Sequence, residues 1–377
     1  MKRKRILVCS RDPGGTNAVV QLIGPLRALG YEVAVYGKDA AIPIYRKQGI
    51  ECTGITEVLP VVTAESAAEL SKKVSADMIL TGTSSEDFTE RCFWQAAERN
   101  GIPSFAVLDQ WVNYALRFLP QGETAENHVP TNGSLILPST LFIMDEFAKR
   151  EMRDLGMEEN RLVVTGQPFF DYVRESGDRY SAEDIRNLRR TLMGGKPGVL
   201  IVFASQPISK LYRENGLGED YWGYTEKTIL GNIAHCLDVL AESSDSAITL
   251  VVRLHPKEDV VSQEGERPGE RGGIRWVFDR DTDSNLLLKA SDLVIGMFSM
   301  VLLEAAILGK NFLSVQIGLK RENPLVFDRM GTVKSILTQA ELALSLKRVL
   351  SSEAGAPPDL GIQFGATRRI IDYLTEI

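Results

Sequence analysis

The feature that most constrains the fold is a regular alternation of short apolar runs with longer amphipathic segments. Runs such as 6–10, 104–108 and 249–254 are apolar almost throughout and have the length of strands. Segments between such runs, for example 16–29 and 224–242, place apolar residues at helical spacing. Continuous apolar strands separated by helices are typical of parallel strands that are buried on both faces. The sequence therefore predicts the α/β fold class.

The same alternation divides the chain into two halves. With 377 residues, the chain is long enough for two domains that each bury a core. We expect an N-terminal Rossmann-like domain over residues 1–167, a hinge over 168–197 and a C-terminal Rossmann-like domain over 198–360. Residues 361–377 are expected to form a C-terminal helix, and its return to the N-terminal domain is left open.

Charge and cysteine usage exclude several classes of protein. The chain has 43 Lys and Arg against 50 Asp and Glu, a formal net charge of −7, which argues against a nucleic-acid partner. Its four cysteines are widely spaced without a CxxC pair, so a disulfide framework or zinc ribbon is not expected. The apolar stretch after the basic start is too short for a signal peptide. We expect a cytoplasmic protein without a transmembrane segment, and leave peripheral membrane contact open.

Ligands of open α/β sheets bind beyond the carboxyl ends of the strands, so residues that follow strands are the candidates for a site. The first such segment is 11–17, RDPGGTN. Gly14 and Gly15 would let the backbone approach a ligand, and Thr16 is predicted to cap a helix whose N–H groups attract an anion. The segment lacks the third glycine of a dinucleotide motif and the lysine of a P-loop. The alternative is a tight turn with no ligand.

The second candidate segment follows the apolar run 104–108. It contains an acid, an amide, two aromatic residues and an arginine, namely Asp109, Asn113, Trp111, Tyr114 and Arg117. Aromatic rings stack on the apolar faces of sugars, and Asp109 can accept a proton from a hydroxyl group. This composition favours an acceptor site. In the alternative interpretation, the two aromatic residues pack in the core and the acid caps a turn.

The third candidate segment is 253–258, RLHPKE, at the end of an apolar strand. It places His255 between Arg253 and Lys257, and cationic and neutral donors together favour phosphate. Only two other histidines are present, His128 and His235, and both are interpreted as structural. The sequence therefore predicts a phosphate site around His255.

The fourth candidate segment follows the apolar run 293–295. Ser299 is predicted to cap a helix and to offer its terminus to an anion. Glu304 lies in the otherwise apolar helix that follows, where a buried carboxylate requires a partner or a ligand. Ser205 and Gln206 follow the first strand of the second half and are added as weaker candidates. Acidic residues at 279–283 are interpreted as a helix start, so no metal is expected.

The run RLHPKE, together with the segment 281–310, resembles the C-terminal half of GT-B-fold glycosyltransferases. The resemblance is specific over about 249–315. It extends to capsule and surface-polysaccharide transferases, to CDP-glycerol glycerophosphotransferases, to bacterial sialyltransferases with an HP motif and to non-hydrolysing UDP-N-acetylglucosamine 2-epimerases. It implies two Rossmann-like domains that face each other across a cleft, which is the GT-B fold.

The resemblance also implies roles for single residues. His255 and Ser299 would contact the phosphates of the donor nucleotide, Glu304 would hold the ribose, and Asp109 would be the base that activates the acceptor. The glycine-rich turn would lie across the cleft from the donor. The chain has HPK where the epimerases have HPN, and Phe298, Ser299 and Met300 stand in place of their Ser-Gly-Gly turn. These departures favour a transferase over an epimerase.

The sequence therefore predicts a metal-independent, inverting glycosyltransferase of polysaccharide biosynthesis that needs no cofactor. Its partners would be a nucleotide-sugar donor and a glycan or lipid-linked acceptor. Three alternatives stay open: a nucleotide-sugar 2-epimerase, a CDP-glycerol-type glycerophosphotransferase and a non-catalytic nucleotide-binding protein of the same fold. The predicted catalytic residues are Asp109 and His255. The predicted donor-binding residues are Arg253, Lys257, Ser299, Glu304, Ser205, Gln206, Gly14, Gly15 and Thr16.

Overall fold

The computed structural model describes residues 3–123, 135–211, 221–242, 246–255, 258, 273–351 and 355–377. The chain forms two compact units. The first unit contains Met1–Tyr172 together with Ile362–Ile377, and the second contains Val173–Gly361. Each unit is built on one parallel sheet.

The sheet of the first unit has seven strands among the described residues, in the spatial order β3-β2-β1-β4-β5-β6-β7. The strands are β1 (Arg5–Ser10), β2 (Glu32–Gly37), β3 (Thr53–Gly54), β4 (Met78–Thr81), β5 (Ser104–Val107), β6 (Thr140–Ile143) and β7 (Leu162–Val164). Strand β1 pairs with both β2 and β4, and β4 pairs in turn with β5. Residues after β1, β4 and β5 therefore lie side by side at one edge of the sheet.

Helices cover this sheet and close its core. They are α1 (Pro13–Ala28), Ala41–Lys47, Ile55–Val58, Ala64–Lys73, Thr89–Asn100, Glu146–Asp154 and Ala366–Thr375. The C-terminal helix Ala366–Thr375 packs against α1, with fully buried Ile370 and Leu374 in the same hydrophobic cluster as Ile23. Asp171 accepts hydrogen bonds from the N–H groups of Gly365 (2.6 Å) and Thr367 (2.9 Å) at the start of this helix.

The sheet of the second unit has five strands among the described residues, in the order β10-β9-β8-β11-β12. They are β8 (Gly198–Ala204), β9 (Ala247–Arg253), β10 (Ile274–Asp279), β11 (Leu293–Gly296) and β12 (Asn311–Ser314). The helices of this unit are Ala182–Leu192, Ile208–Leu211, Glu226–Ala241, Ser284–Ala290, Met300–Ile307, Val326–Arg329 and Gln339–Leu350. Its central strands β8, β9 and β11 are neighbours, so the residues that follow them also share one edge.

The predicted α/β class with two parallel sheets is confirmed. Two elements differ from the sequence prediction. A helix, Pro168–Gly177, occupies the start of the segment expected to be a hinge. Helix α1 begins at Pro13 and not at residue 16, because proline at the first helical position has a suitable φ and no N–H group to leave unpaired.

Candidate functional site

The first turn of α1 packs directly against Asp109 at the carboxyl edge of the first sheet. A Cβ atom on Gly14 would collide with Oδ2 of Asp109 and would lie 2.9 Å from its Cγ. A Cβ atom on Gly15 would lie 3.0 Å from the backbone nitrogen of Thr83. The two glycines therefore let the helix approach the loops after β4 and β5, and the anion beside this helix terminus is the protein's own carboxylate.

The predicted capping role of Thr16 is wrong. The N-cap residue of α1 is Asp12, and Thr16 lies inside the helix with no exposed surface. Its hydroxyl group donates to the carbonyl oxygen of Asp12 at 2.8 Å and contacts Oγ of Ser10 at 2.9 Å. Thr16 is buried among these partners, so its hydroxyl group stabilises the start of the helix through hydrogen bonds within the protein.

Asp109 forms a buried ion pair with Arg117. Nη1 of Arg117 lies 2.9 Å from Oδ1 of Asp109, and the side chains are 1% and 6% exposed, respectively. The hydroxyl group of Thr83 donates to the same carboxylate oxygen at 3.2 Å. Arg117 in turn donates to the carbonyl and hydroxyl oxygens of Thr83, each at 2.9 Å. These three residues form one buried network, which we call the Asp109 network.

The residues predicted to bind an acceptor differ in exposure. Trp111 is buried, stacks on Phe170 and donates from Nε1 to Oδ2 of Asp145 at 2.8 Å. Tyr114 and Arg117 are also buried. Asn113 is the exposed residue of the four and adopts a left-handed backbone conformation with φ of 57°. Their burial places the two aromatic side chains in the interior of the unit.

Sequence reasoning missed Glu90, which lies beneath the same edge of the sheet. Its Oε1 accepts hydrogen bonds from the hydroxyl group of Ser84 at 2.9 Å and from the N–H group of Arg11 at 3.2 Å. Burial raises the pKa of Glu90 to about 7. The available signal was its place in the helix Thr89–Asn100, since a residue three before Phe93 and four before Trp94 falls on the buried face. Burial also raises the pKa of Asp12, against the opposing effect of Arg11.

In the second unit, Glu258 joins the loops that follow β8 and β9. Its Oε1 accepts a hydrogen bond from the hydroxyl group of Ser205 at 2.9 Å, and its Oε2 accepts one from the N–H group of His255 at 2.8 Å. Burial raises the pKa of this carboxyl group, although both hydrogen bonds oppose the rise. Glu258 is buried and holds the two candidate residues at fixed positions. Glu258 is the last residue of the RLHPKE run, but sequence reasoning did not select it as a candidate.

The loop after β11 is joined to the same group. The side chain of Gln206 accepts a hydrogen bond from the N–H group of Phe298 at 3.1 Å. Ser299 caps the helix Met300–Ile307, where its Oγ accepts a hydrogen bond from the N–H group of Val301 at 3.3 Å. The loops after β8, β9 and β11 thus form one hydrogen-bonded edge. Lys257 and His128 lie outside the described residues, and His235 is exposed.

Glu304 is buried in the helix that Ser299 caps. Burial raises the pKa of its carboxyl group to about 7, and the positive charge of Arg253 acts in the opposite direction. Arg253 itself, the last residue of β9, forms an ion pair with Asp279 at the end of β10. The predicted cation and the predicted carboxylate are therefore close enough to interact electrostatically.

We expect Glu304→Gln to raise the stability of the protein at pH 8 and to leave it unchanged near pH 4. The folded state raises the pKa of Glu304 from 4.5 to about 7, so it holds the proton more tightly than the unfolded chain does. Stability therefore falls as the pH rises through this interval, by on the order of 3 kcal/mol. Urea unfolding between pH 4 and 8 measures the effect. Glu322→Gln, at an exposed position, is the control, and equal pH profiles of both variants would contradict the prediction.

Two further findings concern the described residues. None of their helices is both long and apolar enough to span a membrane. They also contain no group of three or more His, Cys, Asp or Glu side chains arranged to hold a metal ion.

The chain is similar in structure to several solved proteins. A UDP-GlcNAc 2-epimerase from Neisseria meningitidis, bound to UDP-GlcNAc, matches with a TM-score of 0.67 and 15% identity, covering 99% of this chain and all of the other. A glycosyltransferase from Rickettsia africae matches with a TM-score of 0.60 and 13% identity, covering 99% of this chain and 94% of the other.

MurG from Acinetobacter baumannii matches with a TM-score of 0.55 and 12% identity, covering 99% of this chain and all of the other. No protein-family model and no curated protein matches the sequence. At these identities the likeness is evidence of fold. Two parallel sheets in two units, together with these matches, identify the architecture of this chain as the GT-B fold.

Proposed function

We propose that the protein is a glycosyltransferase that moves a sugar from a nucleotide-sugar donor to a hydroxyl group of a glycan or lipid-linked acceptor. The observation that carries the proposal is the hydrogen-bonded edge of the second sheet. There, hydrogen bonds join the loops that follow three adjacent strands, and these loops carry Ser205, His255 and Ser299. Loops held in place at the carboxyl ends of parallel strands, beside a helix N-terminus, suit the phosphates of a nucleotide.

The donor's phosphates would lie against His255 and the helix terminus capped by Ser299, with the cation Arg253 beside them. Lys257, the other predicted cation, lies outside the described residues. Glu304 would accept hydrogen bonds from the ribose hydroxyl groups. Ser205 and Gln206 would shape the same surface. These groups would face the oxygen that gains negative charge when the nucleotide leaves, and would stabilise the transition state without a metal ion.

Asp109 would act as the base. The acceptor oxygen attacks the anomeric carbon of the sugar while its proton passes to the carboxylate of Asp109. The bond between the anomeric carbon and the phosphate oxygen breaks, and its electron pair stays on the departing nucleotide. Attack from the side opposite the leaving group inverts the anomeric centre. Asn113 is exposed and follows Asp109 by four residues, and it would contact the acceptor.

His255→Ala should lower turnover of the donor about 100-fold, because one donor of the phosphate site is lost. Release of nucleotide from a panel of UDP-, CMP-, CDP- and GDP-sugars, with glycan acceptors present, measures the effect. His235→Ala is the matched control, since this histidine is exposed on the helix Glu226–Ala241. Full activity of His255→Ala would remove the proposal.

A nucleotide-sugar 2-epimerase is the second candidate function. It is favoured by the similarity to the epimerase from Neisseria meningitidis, which covers 99% of this chain and all of the other, with a TM-score of 0.67. Incubation of UDP-GlcNAc with the protein and no acceptor separates the two functions. Conversion to the 2-epimer, monitored by proton NMR, would support the epimerase. A stable donor that is consumed only after an acceptor is added would support the transferase.

A further inference from the structure

The two oxygen atoms of the Asp109 carboxylate have different surroundings, and this difference deepens the function proposed above, on which the inference rests. We propose that Thr83 and Arg117 are positioning residues, which occupy Oδ1 and leave Oδ2 as the oxygen that receives the acceptor's proton. Nothing in the sequence pattern singles out Thr83, and Arg117 was expected to contact the acceptor itself.

The contacts with Oδ1 define its role. Among the described residues, the hydroxyl group of Thr83 and the guanidinium group of Arg117 both approach Asp109 at this oxygen, at 3.2 Å and 2.9 Å. Arg117 is held by two further hydrogen bonds, to the carbonyl and hydroxyl oxygens of Thr83. Its nitrogen atom Nη1 therefore has a fixed place, and the carboxylate that pairs with it has one preferred rotation.

The other oxygen, Oδ2, lies beside Gly14, which has no side chain. This oxygen points to the first turn of α1, where a Cβ atom on Gly14 would overlap it. Gly14 is half-buried and the Asp109 side chain keeps 6% exposure, whereas Thr83 and Arg117 on the other oxygen are fully buried. A substrate hydroxyl group that reaches this carboxylate from the surface would therefore meet Oδ2.

The burial of the ion pair between Asp109 and Arg117 has a cost in free energy, which suggests that the pair has a role other than stability. Removing a carboxylate and a guanidinium group from water costs several kcal/mol, and apolar replacements of such pairs are often as stable as the pair itself. A buried ion pair thus contributes little to stability, but it fixes geometry well. A general base needs the reacting oxygen within hydrogen-bond distance of its proton, and misplacement by about 1 Å costs about 100-fold in rate.

The test uses conservative variants of the two positioning residues in the full chain. Thr83→Val removes one contact to Oδ1 at constant volume and should lower kcat about tenfold without changing the KM for the donor. Thr83→Ser retains the hydroxyl group and should restore kcat. Arg117→Met should lower kcat about 100-fold, again with an unchanged KM for the donor.

Arg91→Met is the matched control for the loss of a buried arginine. Arg91 is as deeply buried as Arg117, and its hydrogen bonds go to the carbonyl oxygens of Leu116, Leu119, Ser84 and Asp87. We expect it to lower the melting temperature and to lower kcat less than Arg117→Met does, because its hydrogen bonds go to backbone carbonyl groups and not to Asp109. If Arg117→Met does not fold, the Thr83 pair carries the test. Folded Thr83→Val with wild-type kcat, or Thr83→Ser with the same defect as Thr83→Val, would overturn the proposal.

A readout without turnover separates this inference from the proposed function. A Cβ atom on Gly14 would overlap Oδ2, so Gly14 is close enough for its backbone amide signal in NMR spectra to respond to movement of the carboxylate. Thr83→Val should shift this signal, whereas Thr83→Ser should leave it in place. Turnover of no nucleotide sugar by the wild-type chain would end the proposed function alone. An unmoved Gly14 signal in Thr83→Val would end the positioning role alone.

Discussion

Asp109→Asn should reduce the rate of sugar transfer about 1000-fold, because an amide cannot accept the proton of the attacking hydroxyl group. The substitution conserves the shape of the side chain, and Oδ1 of the new residue can still accept from Thr83. The proposed donor-binding residues His255, Ser299 and Glu304 belong to the second unit, so the KM for the donor should not change. Initial rates of nucleotide release at saturating acceptor measure the effect.

The same variant should also lose stability, on the order of 3 kcal/mol, because Arg117 keeps its charge in a buried position without an anionic partner. Asp39→Asn is the control for a loss of charge at the same edge. Asp39 also pairs with an arginine, Arg11, but its side chain is 56% exposed, so the loss should be below about 1 kcal/mol. A rate for Asp109→Asn within tenfold of wild type would assign the proton transfer to another group.

Gly14→Ala has the second of the two largest expected effects. The added methyl group would overlap Oδ2 of Asp109, so either the carboxylate rotates away or the first turn of α1 shifts. Displacement of the reacting oxygen by about 1 Å should cost about 100-fold in kcat, and overpacking should cost about 1 to 3 kcal/mol of stability. Rates and urea unfolding of the same preparation measure both.

Gly24→Ala is the matched control in the same helix. Gly24 is exposed, and a Cβ atom there would meet nothing within 4 Å. Alanine inside a helix is favoured over glycine by about 0.5 to 1 kcal/mol, so this variant should be more stable than wild type and fully active. Equal behaviour of the two variants would show that the contact between Gly14 and Asp109 is unimportant.

The fold could be predicted from the sequence because its signal is local. Apolar runs of strand length, separated by amphipathic segments, recur along both halves, and each run needs only its own neighbours to be recognised. The start of α1 was misplaced by three residues because two polar residues, Asp12 and Thr16, can both cap a helix. Pro13 lies between them and favours Asp12 as the cap, since proline begins a helix without an unpaired N–H group.

The Asp109 network could be predicted only in part, because it depends on strand order. Thr83 and Asp109 follow β4 and β5, and α1 follows β1, a strand that is more than 65 positions earlier in the sequence than β4. Asp109 was found from its place after an apolar run. Arg117 was recognised as a functional candidate. Its burial depends on the ion pair with Asp109, which is a contact between residues on different elements.

The helix Ala366–Thr375 has a consequence for the order in which the chain folds during synthesis. Ile370 and Leu374 complete the core around α1, yet they leave the ribosome after the whole second unit. The second unit is one continuous segment and has all its parts when residue 361 has been made. Domains commonly fold from the N-terminus onward as they are synthesised. Of the two units, the one whose synthesis begins first is completed second. Until then it exposes the apolar surface that the helix Ala366–Thr375 covers.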